Sequence, residues 1–138
     1  MLLDINQIKD LLDKRPPIVF VGCSANSSKA AHHVPAYIQE QGFKIFPINP
    51  TASTILGEPV CRKLSEISPD ILRQAVVVLF RPSSEVPLFL AECIRLSVPV
   101  LWTQEGISHV DAIEKAEANQ IDLVDNKCIL KVYKELFV

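Results

Sequence analysis

The residues best able to handle an anion lie between 22 and 29, GCSANSSK, where an apolar run gives way to an amphipathic stretch. Backbone N–H groups at a helix start carry partial positive charge and point outward, which suits phosphate. Hydroxyls of Ser24, Ser27 and Ser28 would add donors there, and Lys29 adds a full charge. The competing reading is that Ser27 or Ser28 only caps the helix. A lone Gly22 at the strand end, beside a lysine, favours the phosphate. Cys23 is the thiol that a helix terminus and Lys29 would push toward thiolate, against the plainer role of a small packed residue.

A second cation follows in FRPSSE at 80–85, where Arg81 suits a phosphate or carboxylate, or else an ion pair with Glu85. Pro82 stiffens that turn, and Ser83 or Ser84 is expected to cap the next helix. Trp102, the only tryptophan, either stacks on a flat base or fills the crevice mouth. His32 and His33 are adjacent and so point apart on a helix, and His109 is isolated; no metal site is expected. The four cysteines, at 23, 61, 93 and 128, form no CxxC pair and read as free thiols. No serine, histidine and acid set and no paired carboxylates stand at strand ends, so no catalytic residue is nominated.

What these loops lack narrows the ligand. A standard NAD fingerprint needs three glycines and an acid near the end of the second strand; here there is Gly22 alone, and the second strand ends Ile48, Asn49, Pro50. A phosphoacceptor receiver would need acids after strands one and three, where Cys23, Ser24, Arg81 and Pro82 stand instead.

The positioning elements follow from hydrophobic periodicity. Ile5, Ile8, Leu11 and Leu12 mark a helix over 4–13 that Pro16 and Pro17 stop. Apolar runs at 18–22, 44–49, 75–80, 98–102 and 121–124 alternate with helical stretches around 30–41, 84–96 and 108–118. Valine-rich runs without period-two alternation suit strands covered on both faces, and repeated β-α units imply a parallel sheet. The fold class expected is therefore α/β, a doubly wound, Rossmann-like, five-stranded parallel sheet of order 3-2-1-4-5, its crevice bordered by strands one and four.

With 138 residues the chain reads as one domain over 1–138, residues 1–15 forming a helix packed on it. A net charge of −2 offers no basic excess for nucleic acid, and the amino-terminal stretch lacks the apolar core of a signal or membrane segment; a cytoplasmic protein is expected. A homodimer is expected if apolar residues of the 84–96 helix or of the tail LKVYKELFV are left uncovered.

Taken in order and spacing, GCSANSSK, HHVPAYIQEQGFKIFPINP, ILGEPV, FRPSSEVP, LWTQEGI and VDNKC resemble the small CoA-binding proteins with a Rossmann-like domain, similar to the CoA-binding domain of the succinyl-CoA synthetase alpha subunit. The resemblance spans about residues 16 to 130. It implies coenzyme A or an acyl-CoA lying across the carboxyl edge of the sheet. Gly22, Ser24, Asn26, Ser28 and Lys29 would then hold phosphate, and Asn49, Pro50, Phe80, Arg81, Pro82 and Val86 would line the adenosine or pantetheine path, with Cys23 and Trp102 also counted among the ligand-lining residues. Two departures stand out: Ala30 and Ala31 where relatives have Pro-Ser, and Lys127 where they have Arg. The synthetase's catalytic histidine, which belongs to a further domain, has no counterpart here. The resulting expectation is a CoA or acyl-CoA binding module, non-catalytic by itself, that carries, buffers or senses its ligand. Its rivals are an NAD(P)- or FMN-dependent redox enzyme, or one using Cys23 as nucleophile, and a regulatory subunit that has lost its ligand.

Overall fold

A computed structural model describes residues Met1–Val138. Five strands form one parallel sheet: β1 (Ile18–Val21), β2 (Ile45–Ile48), β5 (Val76–Leu79), β6 (Val100–Thr103) and β7 (Asp122–Val124). A two-stranded antiparallel hairpin, β3 (Thr54–Ile55) with β4 (Glu58–Pro59), stands apart from it. The helices are α1 (Ile5–Asp13), α2 (Ala30–Glu40), α3 (Pro69–Leu72), α4 (Val86–Arg95), α5 (Val110–Ala118) and α6 (Ile129–Phe137). The α/β doubly wound class is as the valine-rich runs imply.

The strand order is not. The sheet runs β2-β1-β5-β6-β7, or 2-1-3-4-5 counting its own strands, rather than 3-2-1-4-5. Pro47 supplies the physical reason: it has no N–H to offer a ladder, so β2 suits an edge. All four side chains of β5, by contrast, are apolar and buried, as a central strand requires. The crossover through residues 49–75 therefore passes over β1, and β5 docks on its far side. The crevice at the topological switch point is bordered by β1 and β5, not by the first and fourth strands.

Alternate strand residues feed two apolar layers. Ile18, Phe20, Val76, Val78, Val100, Trp102 and Val124 face α1, α2 and α6, while Val19, Val21, Val77, Leu79, Leu101 and Leu123 face α3, α4 and α5. Each such side chain, once buried, contributes about 1.5–3 kcal/mol of transfer free energy. α1 is capped by Asp4, whose carboxylate accepts from Gln7 N–H while the Gln7 side chain accepts from Asp4 N–H, and it buries Ile8 and Leu12. The tail forms α6, which turns Ile129, Val132 and Tyr133 inward, so its apolar stripe is covered by the chain itself. On α4, Leu88 stays 61% exposed. No helix is long and apolar enough to cross a membrane.

Candidate functional site

At the end of β1 the chain turns sharply at Gly22, with φ of +83°, a region costly to other residues. A Cβ there would sit 2.6 Å from the Phe80 carbonyl oxygen and 3.2 Å from Arg81 Cδ. The glycine is thus required by the close approach of the β1 and β5 ends, whether or not a ligand is present. Gly22 N–H and Cys23 N–H both donate to the Ile48 carbonyl, which ties the turn to the end of β2.

The loop that follows is held by its own side chains. Ser24 Oγ accepts from Asn26 N–H at 3.0 Å, and Asn26 Oδ1 accepts from Ser28 N–H at 3.0 Å and from Ser28 Oγ at 2.7 Å. His32 Nδ1 lies 2.7 Å from the Ser24 carbonyl, to which its N–H donates. Neither Ser27 nor Ser28 caps α2: the cap position is Lys29, with no side-chain bond to the helix. The N–H groups of Ala30 and Ala31 consequently have no partner in the chain, and no ion pair engages Lys29. Ser83 and Ser84 cap nothing either; Ser83 Oγ accepts from Ser108 N–H, and α4 begins after a 3₁₀ turn over Ser83–Glu85.

Opposite this loop, Asn49 Nδ2 donates to the Cys23 carbonyl at 2.8 Å, while its Oδ1 accepts from Thr51 and Ala52 N–H. Arg81 forms a two-pronged pair with Glu85, at 3.2 and 2.8 Å, and that bond raises the guanidinium pKa further. The pair is about half exposed, so it is weak and open to exchange for a ligand anion.

These residues line one cavity of about 380 Å³: Gly22, Cys23, Ser24, Lys29, Ala31, Asn49, Pro50, Phe80 and Arg81. Eight of the nine are candidates from the sequence, Ala31 being the exception. The cavity opens into a cleft of about 240 Å³, sharing Gly22, Asn49, Pro50 and Arg81 and adding Val21, Ile48, Arg62 and Phe89. That cleft in turn adjoins a third hollow of about 360 Å³ through Val21, Ile48, Arg62 and Phe89. Together they make one groove over the carboxyl ends of β1, β2 and β5.

Five candidates fall outside its walls. Trp102 is fully buried at the third position of β6, and its indole N–H donates to the Lys127 carbonyl at 2.7 Å; it fills the core and stacks on nothing outside. Val86 is 1% exposed because the first turn of α4 presses it into the layer under β5. Asn26 and Ser28 are exposed but bind one another, and Pro82 is exposed beyond the rim. Cys23 belongs to the cavity wall but is itself buried. Its side chain is fully buried, and burial pushes the thiol up to about 11, against the lowering bond from Ser24 N–H. The helix terminus does not make it a thiolate. Lys127 lines a separate surface hollow beside Cys128, away from the groove.

Sequence reasoning missed Arg62 and Phe89. Arg62 reaches the groove because residue 61 pairs with Ile48, laying the far end of a long connection along β2. No local motif announces that contact. Phe89 was legible as an apolar residue of α4, but its exposure to the groove depends on the strand order.

The sequence pattern of the CoA binding domain family matches residues 17–134. The Bacillus subtilis (strain 168) protein YneT, itself uncharacterized, is 29% identical over 123 residues, covering 89% of each chain. A solved structure from Thermus thermophilus superposes with a TM-score of 0.87 at 27% identity, covering 98% of this chain and 100% of that one. A protein from Pyrococcus horikoshii OT3 has a TM-score of 0.89 at 24% identity, covering 99% and 94%, and shares the fold.

Proposed function

The chain belongs to the CoA-binding domain family, and from that premise we propose that it binds coenzyme A or an acyl-CoA in the groove and performs no chemistry on it. It acts as a carrier, buffer or sensor. The observation that carries this reading is the 380 Å³ cavity, where free helix-start amides, an unpaired Lys29 and an exchangeable Arg81 meet at the switch point of the sheet.

The residues present suit such a ligand. A diphosphate needs several donors converging on a small volume, and the Ala30 and Ala31 N–H groups with Lys29 supply them. The serine-to-alanine difference at 31 removes a hydroxyl but leaves the amide. Asn49 cannot turn its carboxamide to the ligand without breaking its bonds to Cys23, Thr51 and Ala52, so its part is to hold the wall in place. Phe80 and Pro50 offer apolar surface for pantetheine or adenine. The buried, protonated Cys23 speaks against a thiol nucleophile in the cavity.

A thermal-shift panel with CoA, acetyl-CoA, dephospho-CoA, NAD, NADP and FMN tests the reading. A ligand held at 100 times its Kd stabilises by ~2.7 kcal/mol, which is several degrees of Tm in a domain of this size. Shifts with the CoA compounds alone support the proposal. Shifts with the dinucleotides or the flavin would replace it with the redox reading, and silence throughout would leave a domain that keeps the fold without a ligand.

A further inference from the structure

The groove continues past the cavity assigned above to the diphosphate, and its far end has a composition of its own. The third hollow has an apolar floor of Val21, Ile48, Leu64 and Phe89 under a rim of Arg62, Lys63 and Arg95. The only acid in that lining is Glu92, which is paired with Arg95 at 2.7 Å. Glu66, close by, is occupied on its own segment, accepting from Arg62 N–H at 2.5 Å and Lys63 N–H at 3.2 Å, and these bonds hold its carboxyl below the usual range. The lining therefore keeps a cationic excess although the whole chain carries a net charge of −2.

Arg62 is fixed rather than free. Its Nη1 donates to the carbonyls of Asn49 and Ala52 at 2.9 and 2.5 Å, and Nη2 donates to that of Thr51 at 3.3 Å. A guanidinium has more N–H groups than these bonds use, so the remainder can meet an anion from a cation already in position. A preformed donor loses less rotamer freedom on binding than a loose one. Arg62 also lines the middle cleft, so one ligand lying along the groove would pass it.

Resting on the CoA reading above, we propose that this end of the groove is a second anion subsite, which selects ligands bearing a negative group remote from the diphosphate. Two parts of a CoA ligand have that chemistry: the 3′-phosphate of the adenosine, and a carboxylate at the far end of an acyl group. The apolar floor seats the base or the acyl chain, and the rim cations meet the charge.

Isothermal titration of the full chain with four ligands decides it. CoA against dephospho-CoA reads the 3′-phosphate, and succinyl-CoA against acetyl-CoA reads the remote carboxylate. One of the two ratios is expected to reach about tenfold, the scale of a single charge-assisted hydrogen bond. In a Lys63→Gln, Arg95→Gln double variant that ratio should fall to within about twofold, while the ligand lacking the second anion binds as before. Both positions are exposed, so the variant should melt with the parent, which circular dichroism checks. Arg62 is left intact because its bonds shape the 49–52 loop. Ratios near one for both pairs, or a tenfold ratio that the double variant keeps, would overturn the subsite and leave the CoA reading standing. If none of the four ligands binds, the CoA reading itself fails and the subsite goes with it.

Discussion

The two halves of the sheet's carboxyl edge differ in how their polar side chains are engaged. Over β6 and β7 the polar side chains mostly bond one another or the backbone, although the buried His109 Nδ1 and the first amides of α5, Val110 and Asp111, have no partner in the chain. Asp125 accepts from Thr103 Oγ1 at 3.2 Å and from Ser108 Oγ at 2.9 Å, Asn126 accepts from Gly106 N–H, and the buried Gln104 accepts from Ile129 N–H. Over β1 and β5 the helix-start amides are unanswered, Lys29 has no partner, and Arg81 is held by a solvent-exposed pair. Buried polar groups without partners cost free energy, so the bonds of Asp125, Asn126 and Gln104 favour stability in the sealed half, His109 Nδ1 being its one buried exception, while the open half sits at the surface, where water or a ligand can meet its donors. One edge of one sheet thus sets a cross-bonded region beside the proposed binding groove, a strand or two away.

The strongest way to break the contrast is to cut into the sealed half. Trp102→Ala removes the largest fully buried side chain and orphans the Lys127 carbonyl, and should destabilise by ~3–5 kcal/mol in urea unfolding. CoA affinity per folded molecule should stay within about twofold. A large affinity loss in the folded fraction would mean that the halves are coupled and that Trp102 has a part in the groove after all.

Gly22→Ala strikes within the open half, where the ends of β1 and β5 meet. The positive φ and the 2.6 Å approach to the Phe80 carbonyl should together cost at least ~2 kcal/mol, read as a lower urea midpoint. An unchanged midpoint would show that the β1 and β5 ends can part freely.

The converse variant, Lys29→Ala with Arg81→Ala, should spare stability to within ~0.5 kcal/mol, since neither cation has a strong internal partner. CoA affinity should fall by about ten- to a hundredfold in titration calorimetry. Stability lost without affinity lost would invert the roles assigned to the two halves.

How much of this was written in the sequence depends on whether the cause is local. The valine-rich runs and amphipathic stretches gave the five sheet strands and α1, α2, α4 and α5 to within a few residues, because burial on both faces leaves its mark on each segment separately. Lateral order left only one mark, the edge-favouring Pro47, and without it the crevice was set between the wrong strands. The β3–β4 hairpin is two residues long on each side, turning through Leu56 and Gly57 at positive φ, too short for a periodic signal. α6 was not among the helices expected from the sequence, where that stretch counts only as a tail, although Ile129, Val132, Tyr133, Leu136 and Phe137 recur at helical spacing. At the site, Lys29 and Arg81 were readable because each lies in the loop between a strand and the helix after it. Arg62 was not, because its place depends on a contact between residues 48 and 61.

Cys23 gives the finest test, because it lies beneath the open half while behaving like the sealed one. Burial raises its thiol to about 11, and Cys93, buried beside Glu92, is raised to about 12. In both cases the folded chain retains the proton to a higher pH than the unfolded chain, whose thiols ionise near 9. Above that value the unfolded state binds fewer protons, so stability present below about pH 9 should be lost as pH rises toward 11. The urea midpoint should therefore drop between pH 8 and pH 10, and Cys23→Ala should make the drop shallower without abolishing it, since Cys93 remains. Ellman titration of the native protein at pH 8 should find the half-buried Cys61 and Cys128 reacting, with Cys23 and Cys93 following only on unfolding. A Cys23 that reacts rapidly in the native state, together with a midpoint that holds steady to pH 10, would mean that α2 and Lys29 do polarise the thiol. The open half would then contain a nucleophile as well as an anion site, and the enzyme reading would return.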